Sequence, residues 1–129
     1  MRNCDRCGRP LNKRTKIPRQ KVCKRRDCQA EARKRAATAA HRARVAEVYG
    51  VDPGWYDRQY ALQGGVCYLC RRATGASKRL AVDHNHETGE VRGLLCGPCN
   101  KVLGVARDDP EYFRRAIDYL TDPPARRLA

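Results

Sequence analysis

The chain has little from which to build an apolar core. Of its 129 residues one is Phe, one is Trp and one is Met, and aromatics make up 6%. Mean hydropathy is −0.79. A chain this polar cannot bury a large core, and small modules with thin cores need staples. No apolar segment approaches the roughly 20 residues that span a bilayer, so no membrane partner is expected. The opening Met1-Arg2-Asn3-Cys4 leads into basic residues, unlike the apolar run of a secretory leader. Acidic residues are also scarce: 14 Asp and Glu face 28 Lys and Arg, for a net charge of +14. The length suits one ordinary domain or two very small modules on a linker, and the composition favours the modules.

The staples are eight cysteines. A leaderless chain in the cytoplasm keeps its thiols reduced, so metal is favoured over disulfides. If two zinc ions each bind four thiolates, each site adds about −2 and the net charge falls to roughly +10. The charge is also unevenly placed. Residues 1–44 hold 16 Lys and Arg against Asp5, Asp27 and Glu31, whereas residues 45–129 are close to neutral. Such a field attracts polyphosphate, meaning nucleic acid or an anionic membrane. No stretch has a broad apolar face, which favours nucleic acid. The plainer alternative is a solvated, solubilising arm.

The cysteines fall into two sets. Cys4-Asp5-Arg6-Cys7 is followed by fifteen residues and then Cys23-Lys24-Arg25-Arg26-Asp27-Cys28. A CxxC paired with CxxxxC across a loop is a zinc-ribbon pattern. Gly8 stands where such a turn often needs positive φ. The loop is basic: Arg9, Lys13, Arg14, Lys16, Arg19 and Lys21. Residues 29–49, rich in Ala and Arg without Gly or Pro, predict a helix. It is polar all round until Val45, so it either bridges modules or lies on a charged partner. Gly50 ends it, and His41 among its alanines reads as solvated. Asp52 and Pro53 then read as the N-cap and first position of a helix to about Gln63. Trp55 reads as its core anchor, beside Tyr56, Tyr60 and Leu62.

The second set is Cys67-Tyr68-Leu69-Cys70 and Cys96-Gly97-Pro98-Cys99, separated by 25 residues, a strong zinc signal. Between the pairs, Arg79 to Asp83 predicts a strand, Glu87-Thr88-Gly89-Glu90 a turn, and Val91 to Leu95 a returning strand. Cys96 then opens a helix running to about Arg107. The expected unit is strand, strand, helix, closed by a Cys4 zinc site. Asp109 and Pro110 start a last helix in which Tyr112, Phe113, Ala116, Ile117 and Leu120 should face the core. Pro123-Pro124 ends it, and the tail beyond reads as frayed.

Two full tetrahedral sites use all eight thiolates and are closed, so neither can hold a catalytic water. Any reaction needs another centre. Asp83, His84, His86 and Asn100 are left for it. Asp83 and Asn100 offer hard oxygen atoms suited to Mg²⁺ or a similar ion. Asn100 directly follows a zinc ligand, which fixes where its amide points. A neutral imidazole at His84 can take a proton from water. Asp83 and His84 are strand neighbours and would face opposite sides, so one must leave regular strand geometry for both to serve one phosphate. The plainer reading is a structural Asp–His hydrogen bond at a strand end. Arg92 and Lys101 lie nearby without an assigned role.

CYLC, VDHNHETGEVRGLLCGPCN and the closing YFRRAIDYL resemble the recombination endonuclease VII family of phage HNH (His-Me finger) nucleases, over about residues 49–121. The resemblance implies a small α+β fold with a ββα-metal core, flanking helices and a Cys4 zinc site. It implies structural zinc at Cys67, Cys70, Cys96 and Cys99, a catalytic Mg²⁺ or Mn²⁺ on Asp83 and Asn100, and His84 as general base. His86 matches a further active-site histidine, for phosphate contact or orientation. It implies hydrolysis of DNA phosphodiesters, duplex or branched, and a homodimer like the family's founding member, in which a long helical N-terminal region is exchanged. This chain instead has an extra Cys4 module and a basic helix before the core.

The expected organisation is a Cys4 zinc module over 1–28, a basic helical linker over 29–50, a nuclease domain over 51–121 and a tail over 122–129. The expected activity is metal-dependent DNA cleavage in the cytoplasm of a phage's bacterial host, with two structural Zn²⁺. Two competitors stand beside it: a non-catalytic zinc-dependent nucleic-acid-binding protein, and a zinc-based protein-interaction module.

Overall fold

The computed structural model describes residues 3–11 and 23–128. The basic loop residues Lys13, Arg14, Lys16, Arg19 and Lys21 lie outside them. The chain divides into two compact units, Met1–Gly54 and Trp55–Ala129.

In the first unit, Asn3 and Pro10 form an isolated antiparallel bridge around the first Cys pair. Helix α1 spans Arg26–Tyr49 and ends at Gly50 in a left-handed turn. It starts three residues before the expected Gln29, so Cys28 lies inside its first turn and not ahead of it. Its buried residues are Cys28 and Val45 alone. Arg33, Lys34, Arg35, Arg42 and Arg44 are exposed. The Asp52 side chain accepts a hydrogen bond from the Gly54 N–H at 3.0 Å, capping the turn that precedes the next helix.

The second unit begins with α2, Trp55–Leu62. Strands β1, Ala81–His84, and β2, Val91–Leu95, pair antiparallel. Helix α3, Gly97–Val105, follows β2 at once and packs against β1. Helix α4, Pro110–Thr121, is capped by the Asp109 carboxylate on the Glu111 N–H at 2.9 Å. The core is small: Tyr56, Cys67, Leu80, Val82, Leu94, Leu95 and Ala106. Among the described residues, no helix is long and apolar enough to cross a membrane.

Three expectations need correction. The α2 anchor is Tyr56, buried and donating its hydroxyl to the Leu80 carbonyl at 2.8 Å; Trp55 is half-buried. One residue turns a helix by about 100°, so only one of the two neighbours faces the core. In α4, Tyr112, Ile117 and Leu120 are exposed at 46%, 62% and 77%, and only Phe113 and Ala116 are half-buried. Helical spacing shows that apolar residues share a face; it does not supply a surface to cover them. The tail is not frayed but forms a 3-10 helix, Pro124–Leu128, where Arg126 donates to the Thr121 carbonyl at 3.1 Å.

Candidate active site

Both cysteine sets are built on the same turn. Gly8 donates its N–H to the Cys4 carbonyl at 2.9 Å, and Arg71 donates to the Cys67 carbonyl at 3.1 Å. The residue after the first CxxC of each set is left-handed, Gly8 at φ 68° and Arg71 at φ 57°. Glycine adopts this without steric cost, whereas arginine does not. Gly8 was legible in the sequence; its counterpart Arg71 was not. Helix starts supply ligands to both sets: Cys28 stands in the first turn of α1, Cys96 caps α3 and Cys99 follows in its first turn.

Within each set the four sulfur atoms lie within 4.8 Å of one another. Cys7 and Cys23 sulfurs are 3.8 Å apart, and Cys70 and Cys96 sulfurs 3.9 Å apart. A tetrahedral zinc with Zn–S bonds of about 2.3 Å requires sulfur separations near 3.8 Å. A disulfide would need about 2.05 Å, and all eight thiols are free. Each set can therefore hold one zinc ion, and neither includes a histidine. N–H groups of Cys23 and Cys7 lower the Cys4 thiol to about 6, and those of Ala73 and Arg72 lower Cys70 to about 6. Burial pushes the helix-borne thiols Cys28 and Cys99 up to about 12. A bound metal ion would offset that last cost by keeping the thiolates deprotonated.

Of the remaining candidates, Asp83 and His84 close β1 at the hairpin end of the strand pair, His86 lies in the loop beyond, and Asn100 stands in α3. Asp83 pairs with Gly93 and His84 with Val91, so the register slips by one and Arg92 is the extra residue on β2. A bulge bends its strand and re-aims side chains. Asp83 and His84 themselves both stay within β1; the irregularity lies on the partner strand, at Arg92. Asp83 is buried, while His84 and Asn100 are half-buried and His86 is exposed. The His84 and His86 rings come together, with centroids 4.6 Å apart and planes tilted by 48°. Asn100 lies in the first turn of α3, directly after Cys99. The partner of Asp83 is Arg92, whose Nε reaches Oδ2 at 2.7 Å and whose second guanidinium nitrogen reaches Oδ1 at 3.1 Å. The same nitrogen lies 3.3 Å from the His84 carbonyl and 3.2 Å from Asp108 Oδ2. Hydrogen bonding to Asp83 pushes the Arg92 guanidinium pKa still higher.

The sequence matches the profile of the recombination endonuclease VII family over residues 42–122. The chain belongs to that family. Relatives include two phage proteins, each called Gene 59 protein. The one from Mycobacterium phage L5 is 44% identical over 125 residues, covering 96% of this chain and 74% of that protein. The one from Mycobacterium phage D29 is 43% identical over the same shares. No solved structure matches the chain significantly. Membership in the endonuclease VII family makes a nuclease acting on DNA the coarse functional assignment.

Three residues of this endonuclease VII relative support the site and escaped the sequence reading. Gln63 is buried and acts as a third strand of one residue. Its carbonyl oxygen accepts the Leu94 N–H at 2.8 Å, and its amide nitrogen donates to the Leu94 and Val66 carbonyls at 2.8 and 3.1 Å. Gly93 makes room for it, since a Cβ there would lie 3.0 Å from the Gln63 oxygen. Asn85 organises the loop that carries His86: its side-chain oxygen accepts from the Glu87 and Thr88 N–H groups at 2.8 and 3.1 Å. An Asn followed by polar residues and Gly89 is an available turn signal. Gln63 carried none.

Proposed function

We propose that this chain is an HNH-type DNA endonuclease with a ββα-metal core, two structural zinc ions and one catalytic Mg²⁺ or Mn²⁺. The supporting observation is the strand end itself. Asp83 and His84 sit across a bulge, His86 lies ring to ring with His84, and the helix that follows starts in a Cys4 cluster and carries Asn100.

The donor set fits the ion. Asp83 and Asn100 offer hard oxygens, and a carboxylate has about four acceptor positions, so Arg92 does not exhaust those of Asp83. When bound, the ion supplies positive charge to the scissile phosphate and the leaving oxygen. His84 takes a proton from the attacking water at a ring nitrogen. His86 contacts or orients the phosphate beside it. Cys99 fixes the helix start that presents Asn100. The cationic N-terminal unit adds phosphate affinity independent of sequence.

The Asp83–Arg92 ion pair favours one other reading, in which Asp83 is structural and the protein binds nucleic acid through its zinc modules without cutting it. Supercoiled plasmid separates the two. The wild type should relax or linearise plasmid with Mg²⁺ or Mn²⁺ and not without a divalent ion. The His84→Ala protein should still retard DNA in gels but cut at least about 100-fold more slowly. Equal cutting by that variant would remove His84 as the base, and no cutting by the wild type would leave the binding protein.

A further inference from the structure

We propose that Arg92 is a positioning residue for the catalytic ion, holding the Asp83 carboxylate in the orientation the ion needs, and that Asp108 in turn holds Arg92. This rests on the reading of Asp83 as a ligand of that ion.

The observations converge on one side chain. Arg92 is the residue that the register slip inserts into β2, opposite the bond between Asp83 and His84. Its two donors meet the two Asp83 oxygens in a fork, at 2.7 and 3.1 Å. A fork fixes the carboxylate plane as well as its charge, which a single donor cannot do. Asp83 exposes 7% of its side chain, so its orientation is set mainly by the Arg92 fork. The contact with the His84 carbonyl at 3.3 Å ties the general base's backbone to the same guanidinium.

The far side of Arg92 is also built. Arg107 and Asp108 are both left-handed, at φ 54° and 56°, and neither is glycine. Two such residues in succession are strained and persist only where the surroundings impose them. This turn ends α3 and brings Asp108 to 3.2 Å from the guanidinium. Asp83, Arg92 and Asp108 all line a cavity of about 450 Å³, as do Tyr68, Leu69 and Phe113. Asp108 thus gives Arg92 a second anion, leaving Asp83 charge to spare for a divalent ion.

The test is a Mn²⁺ titration of the zinc-loaded full chain, read by the loss of the free-ion electron paramagnetic resonance signal. Zinc content and far-ultraviolet circular dichroism serve as folding controls. The wild type should show one site that Asp83→Asn abolishes. Arg92→Ala should weaken that site by about 10- to 100-fold, the usual cost of removing an outer partner of a metal ligand. Arg92→Lys, which keeps the charge and loses the fork, should recover only part of the affinity. Asp108→Ala should weaken the site less, in the same direction, and it keeps the proposal testable if Arg92→Ala misfolds. A wild type without an Asp83-dependent site would overturn the reading of Asp83 itself. An intact wild-type site with equal or tighter binding in the Arg92 variants would overturn only the positioning role, tighter binding meaning that Arg92 competes with the ion.

Discussion

Gln63 shows how much of this small unit rests on one side chain. Its amide completes the edge of β2 at Leu94 and leaves none of its own polar atoms unpaired. Gln63→Leu keeps the volume and orphans the buried Leu94 N–H. Denaturant unfolding of the zinc-loaded protein should show a loss of about 2–3 kcal/mol. The CxxC turns give a second prediction at this scale. A Cβ on Gly8 would meet no atom within 4 Å, so Gly8→Ala tests backbone strain alone. Left-handed geometry costs about 1–2 kcal/mol for a residue with a Cβ, and tenfold in affinity is about 1.4 kcal/mol. Competition with a chromophoric chelator should therefore find zinc held roughly five- to thirtyfold more weakly at the N-terminal cluster. Arg71 bears the same geometry naturally, with its guanidinium 5.0 Å above the Tyr68 ring centroid.

At the scale of elements, what the sequence revealed depended on whether a signal was local. The extent of β2 could be read because a glycine turn and a CxxC bound it. The Asp109-Pro110 start of α4 could be read because capping needs only neighbours. The cysteine sets could be read because ligand spacing is itself local. Arg92 escaped because its partnership with Asp83 exists only through a register slip between two strands, and with Asp108 only through a strained turn fifteen residues on. The face of α4 was misjudged because periodicity is silent on what covers an apolar stripe. That correction is itself testable. Ile117→Lys and Leu120→Lys should each change unfolding free energy by no more than about 0.5 kcal/mol, as for open surface positions. A loss of 2 kcal/mol or more in thermal or denaturant melts, as from a buried site, would return these residues to the core.

Over the whole molecule, charge and metal divide the labour. The described part of the first unit carries a 24-residue helix with exposed Arg33, Lys34 and Arg44. On the proposed function these are phosphate contacts. Changing all three to Ala should lower the slope of log affinity against log salt by about 2–3, measured by fluorescence anisotropy on duplex DNA. It should leave the cleavage rate of fully bound substrate unchanged. Linear, nicked and four-way-junction DNA compared side by side would then define the substrate. On the same proposal zinc has a different role, stapling a chain with few large apolar residues. Removing it should unfold the protein cooperatively, and acid should do the same, because protons compete for the thiolates as pH falls.

The central claim is that eight thiolates take two zinc ions and leave the histidines to another centre. Native mass spectrometry of the full chain tests it directly, comparing the wild type with His84→Ala/His86→Ala. Both proteins should carry two zinc ions. Loss of one zinc from the double variant would contradict the account, because a histidine would then be a zinc ligand and the separate centre would not exist.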